Sequence, residues 1–109
     1  MRTLFIKLGA LGGVLRATPL FTGLKKKYPY IELHVITKEN AQDLLKNNKD
    51  IDKLWIWEKD KKNIEKENFD WIINTEDDQE TCEFANKLNT QKFSGPYISD
   101  KGIISYTPD

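Results

Sequence analysis

Apolar residues along this chain follow two patterns. Short runs rich in branched and aromatic side chains occur at Thr3-Leu-Phe-Ile-Lys7, Ile31-Glu-Leu-His-Val-Ile36, Ile51-Asp-Lys-Leu-Trp-Ile-Trp57 and Phe69-Asp-Trp-Ile-Ile-Asn74, each bounded by turn-forming or charged residues. Runs of this kind predict β-strands. The stretches between them read as helices. From about Gly13 to Lys27, the residues Val14, Ala17, Leu20, Phe21 and Leu24 recur at helical spacing and predict one buried stripe. Pro19 interrupts that stretch. Either the helix starts near Thr18, with Thr18 as its cap and Pro19 in its first turn, or one helix runs through and kinks. The lysines 25 to 27 and then Pro29 mark its end.

A second helix is expected over Glu39 to Lys46, with Ala41, Leu44 and Leu45 as its apolar face, and a third over Lys59 to Glu67, with only Ile64 apolar. A fourth, Asp77 to Leu88, buries Cys82, Ala85 and Leu88 behind an acidic start. Gln91 to Phe93 reads as a fifth strand, and Lys101 to Tyr106 as an apolar piece after a turn at Ser99 to Gly102. Strand and helix alternating at this spacing predict right-handed βαβ units and a Rossmann-like, doubly wound parallel sheet.

In such sheets ligands bind beyond the carboxyl ends of the strands, where the strand order reverses. With the order 3-2-1-4-5, that point lies between the first and fourth strands. Two segments then face one crevice: Leu8 to Gly13, and Asn74-Thr-Glu-Asp-Asp78. The glycines of the first fall at 9, 12 and 13, so it is neither GxGxxG nor a Walker A loop. Its backbone amides, at a helix start, face an anionic or hydroxylic ligand, or the glycines serve a tight turn that needs positive φ and close packing. In the second segment, Glu76, Asp77 and Asp78 are candidates for a general base or a metal-binding cluster, or they are the solvated start of a helix. His34 stands alone in a strand and reads as structural, and Trp55, Trp57 and Trp71 read as packing.

Composition narrows the field. The chain has 109 residues, 39% hydrophobic and 31% charged, with 17 basic and 17 acidic side chains, so one globular domain is expected and nucleic acid is not an expected partner. A single cysteine, Cys82, rules out an internal disulfide and suits a reducing cytoplasm, where it packs as a small apolar group. No apolar run approaches the roughly 20 residues of a membrane helix. Lys7 and Arg16 interrupt any signal-peptide core, so the first residues are expected to be buried structure.

The opening Met1-Arg-Thr-Leu-Phe-Ile-Lys-Leu-Gly-Ala-Leu-Gly-Gly-Val-Leu-Arg-Ala-Thr-Pro-Leu20 resembles that of the family 9 glycosyltransferases, the ADP-heptose:lipopolysaccharide heptosyltransferase family. That family has an apolar strand, a loop of the form Leu-Gly-Ala-Leu-Gly-Asp, and then Ala-Thr-Pro-Leu. Lys26 to Ile36, Asn48 to Leu54 and Asn68 to Asn74 are similar to its later units, so the likeness spans nearly the whole chain. The resemblance implies the N-terminal half of a GT-B glycosyltransferase, in which two Rossmann-like domains face across a cleft. The N-terminal domain takes the acceptor and the C-terminal domain the nucleotide-sugar donor, such as ADP-heptose. The chain is expected to hold only the acceptor-side domain, residues 1 to 109, with the donor domain outside it, and so to be inactive alone.

The resemblance further implies inversion at the anomeric centre without a metal or cofactor, with a carboxylate deprotonating the acceptor hydroxyl. Gly13 stands where the family keeps its aspartate base, so either the base is lost, or a nearby carboxylate such as Glu76 or Asp77 has taken over, or the parent protein is not catalytic. Gly9, Gly12, Gly13 and Thr75 are the expected acceptor contacts. The expected partners are a glycan or lipopolysaccharide acceptor, a donor domain, and a second copy paired through the sheet edge. The expected location is the cytoplasm, at the inner face of its membrane. Two alternatives stay open: a non-catalytic binding module of the same fold, and a small nucleotide- or phosphate-binding flavodoxin-like protein.

Overall fold

The computed structural model describes residues 1–108. Five parallel strands, β1 (Arg2–Ile6), β2 (Glu32–Thr37), β3 (Lys53–Ile56), β4 (Asn68–Asn74) and β5 (Asn89–Ser94), form one sheet in the order β3-β2-β1-β4-β5. This is the doubly wound order expected from the alternation of strand and helix. β1 pairs with β2 from Arg2↔Glu32 to Ile6↔Ile36, and with β4 from Thr3↔Trp71 to Ile6↔Asn74. With both edges paired and both faces covered, β1 shows no polar alternation, and Thr3, Leu4, Phe5 and Ile6 are all buried.

The helices are α1 (Leu11–Lys27), α2 (Gln42–Leu45), α3 (Trp57–Ile64) and α4 (Gln79–Asn86). On one face of the sheet Val14, Ala17, Phe21, Ala41 and Leu45 pack with Phe5, Leu33 and Val35. Phe21 meets Phe5 edge to face at 5.0 Å, and burying such a ring stabilises by about 1.5–3 kcal/mol. On the other face Trp57, Ile64, Phe84 and Ala85 pack with Leu4, Ile6, Ile36 and Ile72.

Pro19 lies inside α1, which is one continuous helix starting at Leu11 rather than Gly13. Proline has no N–H for the carbonyl four residues back, that of Leu15. The Thr18 hydroxyl donates to that carbonyl at 2.8 Å. Thr18 is therefore an internal donor that repairs the proline defect, not the cap of a shorter helix. Leu20, expected in the buried stripe, is 55% exposed. Val14, Ala17 and Phe21 define the stripe, and Leu20 is turned about 100° from Phe21.

Other boundaries shift for local reasons. The third strand stops at Ile56, and Trp57 opens α3 instead of closing the strand, because Asp60 accepts the Ile56 N–H at 2.8 Å. The second helical stretch divides into a 3₁₀ turn, Glu39–Ala41, and the short α2, with Ala41 and Leu45 buried but Leu44 exposed. Asp78 caps α4, so that helix starts at Gln79 rather than Asp77. Beyond β5 the chain forms an antiparallel hairpin of β6 (Pro96–Ile98) and β7 (Ile104–Tyr106), closed by a bond from Gly102 N–H to Ser99 O at 2.9 Å. Gly95 joins β5 to this hairpin at φ +112°, and a β-carbon there would stand 2.0 Å from the Asn74 carbonyl oxygen.

His34 is buried and structural, as expected. Its Nδ1 accepts the Trp55 indole N–H at 2.9 Å, which puts the ring proton on Nε2, 2.5 Å from Glu32 Oε2. That bond, with Arg2 beside it, holds the Glu32 carboxyl below its ordinary value. Asp52 is pushed up by burial, but the Lys25 ammonium and the Leu33 N–H outweigh that and leave its carboxyl lowered too.

Thr18→Val is expected to lower stability by about 1 kcal/mol. Pro19→Ala returns the missing N–H and is expected to make the same Thr18 change nearly neutral, which urea denaturation of the double-mutant cycle reads directly. Glu32 and Asp52 release their protons more readily in the folded chain than in the unfolded one. The stability they contribute is therefore complete above the ordinary carboxylate range and lost as pH falls through it. The urea midpoint is expected to be flat from about pH 7 to about pH 5 and to fall below about pH 4. Glu32→Gln and Asp52→Asn are each expected to reduce that fall.

Candidate functional site

The strand order reverses between β1 and β4, and the chain leaves both strands into one crevice. From β1 it passes through Lys7 and turns into α1. Gly9 takes the left-handed backbone that this turn requires, φ +74°. Gly12 and Gly13 do not have positive φ, contrary to the tight-turn expectation, and they belong to the first turn of α1. A β-carbon on Gly13 would meet Lys7 Cε and Nζ at 3.4 Å, and one on Gly12 would meet an Arg16 nitrogen at 3.7 Å. Neither approach is closer than an ordinary contact, so packing does not require glycine at these two positions. The helix start carries no side-chain cap and no acidic residue in its first turn. Its first intrahelical bond runs from Val14 N–H to Ala10 O at 3.1 Å, so the N–H groups of Leu11, Gly12 and Gly13 precede the helical ladder.

From β4 the chain passes through Thr75 and Glu76. The Thr75 N–H and hydroxyl both reach the Ile6 carbonyl, at 3.2 and 2.7 Å, and stitch this segment to the end of β1. Asn74, buried, accepts the Glu76 N–H at 2.9 Å through Oδ1, and its Nδ2 donates to Glu76 O at 2.9 Å and to Pro96 O at 2.8 Å. Glu76 Oε2 then lies 3.2 Å from Lys7 Nζ, and both side chains are largely covered, 13% and 19% exposed.

The three acidic residues divide into separate roles. Asp78 caps α4 by accepting the Thr81 N–H at 3.0 Å and the Thr81 hydroxyl at 2.8 Å. Asp77 accepts the Tyr106 hydroxyl at 3.3 Å and points to the hairpin; partial burial and the Asp77 charge together push the Tyr106 phenol up. Only Glu76 turns toward Lys7 and the Gly9 turn. Among the described residues no group of three His, Cys, Asp or Glu side chains is placed to hold a metal ion. Cys82 is buried, and burial together with Asp78 and Asp77 raises its thiol, which stays protonated.

The structure thus brings Gly9, Gly13, Thr75 and Glu76 together around Lys7, sets Gly12 against Arg16, and turns Asp77 to the hairpin. Lys7 is the member that sequence patterning missed, although a lysine ending an apolar central strand is itself a signal that a charge partner waits there. An apolar groove of about 390 Å³, lined by Phe5, Pro19, Leu20, Leu24 and Ile73, adjoins the crevice at Thr75. A larger concavity, about 670 Å³ between Thr18–Lys26 of α1 and Asn48–Asp50, shares none of the candidate residues. Among the described residues no helix is long and apolar enough to cross a membrane.

No protein-family model and no curated protein sequence matches the chain. Solved structures do. A family 9 glycosyl transferase from Veillonella parvula superposes with a TM-score of 0.78 at 23% identity, covering 86% of this chain and 31% of that one. The E. coli heptosyltransferase WaaC with ADP gives a TM-score of 0.74 at 17% identity over 87% of this chain and 35% of its own. The E. coli ADP-heptose lps heptosyltransferase II gives 0.75 at 15% identity, over 87% and 30%. The chain spans about a third of the length of these structures. Its five-stranded parallel sheet has the fold of the N-terminal domain of the GT-B heptosyltransferases, and it is glycosyltransferase-like in architecture.

Proposed function

We propose that the chain is the acceptor-side domain of an inverting glycosyltransferase. This enzyme moves a sugar such as heptose from a nucleotide-sugar donor to a lipopolysaccharide or other surface-glycan acceptor on the cytoplasmic side of a membrane. The donor is held by a second Rossmann-like unit, outside residues 1 to 109 or on a separate chain. The observation that carries this reading is the meeting of the Gly9–Gly13 turn and the Glu76 carboxylate at the reversal of strand order, in a fold shared with family 9 structures.

Gly9, Gly12, Gly13 and Thr75 line the acceptor side. The bare first turn of α1 lets a sugar hydroxyl approach backbone N–H groups that precede the helical ladder. The smallness of Gly13 is then a matter of room for a ligand, since neither its φ nor its packing demands glycine.

The test is turnover by the longest natural polypeptide that carries this chain, incubated with ADP-sugar donors and a core-glycan acceptor. Release of ADP that depends on the acceptor is the expected result, and its absence overturns the transferase. Residues 1 to 109 alone are expected to show no thermal stabilisation by millimolar ADP, whereas a nucleotide-binding flavodoxin-like protein would be stabilised by mass action. Gly13→Ala separates room from structure: it is expected to stabilise the isolated chain by about 0.5–1 kcal/mol while lowering turnover of the whole polypeptide. A gain in stability with unchanged turnover assigns Gly13 no part in the site.

A further inference from the structure

The two oxygens of the Glu76 carboxylate are in different situations. Oε2 lies 3.2 Å from Lys7 Nζ and 3.1 Å from Thr75 Oγ1. Oε1 lies over Gly9, where a β-carbon would stand 3.2 Å from it, and among the described residues it has no hydrogen bond. The main chain of Glu76 is pinned at both its N–H and its carbonyl by the buried Asn74 amide. One oxygen is anchored, the other is bare, and the peptide is fixed. A group that abstracts a proton at a fixed place needs that combination, because geometry precedes basicity in choosing a general base.

We propose that Glu76 is the general base of the transfer proposed above, accepting the acceptor proton at Oε1, and that Lys7 is the positioning residue that anchors Oε2. The assignment rests on the transferase reading. In the step, the acceptor hydroxyl oxygen bonds to the anomeric carbon of the donor. The bond from that carbon to the diphosphate oxygen breaks, the electron pair leaves with the nucleoside diphosphate, and the hydroxyl proton passes to Glu76. No oxidant, reductant or further reactant is needed.

Gly13 completes the arrangement. A β-carbon there would be 3.4 Å from Lys7 Nζ, so a carboxylate at position 13 would reach the ammonium that now holds Glu76. With glycine in place, Lys7 serves Glu76 alone.

The experiment uses the same full polypeptide and acceptor-dependent ADP release. Glu76→Gln is expected to lower kcat by about 10²- to 10⁴-fold with the donor KM unchanged. Lys7→Met is expected to lower kcat with the donor KM unchanged, and Lys7→Arg, which keeps a donor for Oε2, to recover most of that loss. A purely structural lysine would change the urea midpoint without that split between kcat and KM. Urea midpoints are read for every variant; should Glu76→Gln fail to fold, Glu76→Asp and the Lys7→Met and Lys7→Arg kinetics decide. A Glu76→Gln kcat within about twofold of the parent overturns the base and leaves the transferase standing. A parent polypeptide without turnover overturns both.

Discussion

Arg2–Ile6 has a partner strand along each edge and a packed layer against each face, so its backbone leaves the sheet only at its ends. Everything at the candidate site depends on that confinement. Ile6 ends in register with Asn74, and the next residues of both strands, Lys7 and Thr75, are delivered side by side. Thr75 closes the seam by bonding the Ile6 carbonyl with both its N–H and its hydroxyl. Because strand order reverses here, α1 and α4 depart to opposite faces of the sheet.

Asn74 turns that crevice into a defined geometry. Its side-chain amide binds the Glu76 peptide at two points and also reaches the Pro96 carbonyl, so it ties the catalytic candidate to the start of the terminal hairpin. A buried amide with its groups satisfied is rigid, since breaking any one bond strands a polar atom away from water. Gly95 belongs to the same contact: with a side chain there, the β5–β6 connection could not pass the Asn74 carbonyl. The small hairpin of β6 and β7 is thereby coupled to the site, and Tyr106 draws Asp77 away from the crevice at the same time.

Much of the fold was legible in the sequence because both of its periodicities are plain. Buried parallel strands read as short apolar runs, and Val14, Ala17 and Phe21 mark the inner face of the long helix. The errors have identifiable causes. Leu20 and Leu44 were assigned to buried faces from helical spacing, and the direction of each helix face exposes them. Trp57 was counted with the third strand until the Asp60 carboxylate, reaching back to the Ile56 N–H, started α3 there. Pro19 left two readings open, a boundary or one continuous helix, and the hydrogen bond from Thr18 to Leu15 shows how one helix contains it.

By itself the sequence determined the alternation of strand and helix, the glycine-bearing and carboxylate-bearing segments that follow the first and fourth strands, and the likeness to a glycosyltransferase opening, since local patterning and short motifs carry that information. It did not separate Glu76 from Asp77 and Asp78, and it did not bring Lys7 to Glu76 across 69 positions of chain. Those were decided by tertiary structure, for a physical reason. Three adjacent carboxylates have similar local propensities, and what distinguishes them is the partner each meets: a helix end for Asp78, a phenol from the last strand for Asp77, and an ammonium from the central strand for Glu76.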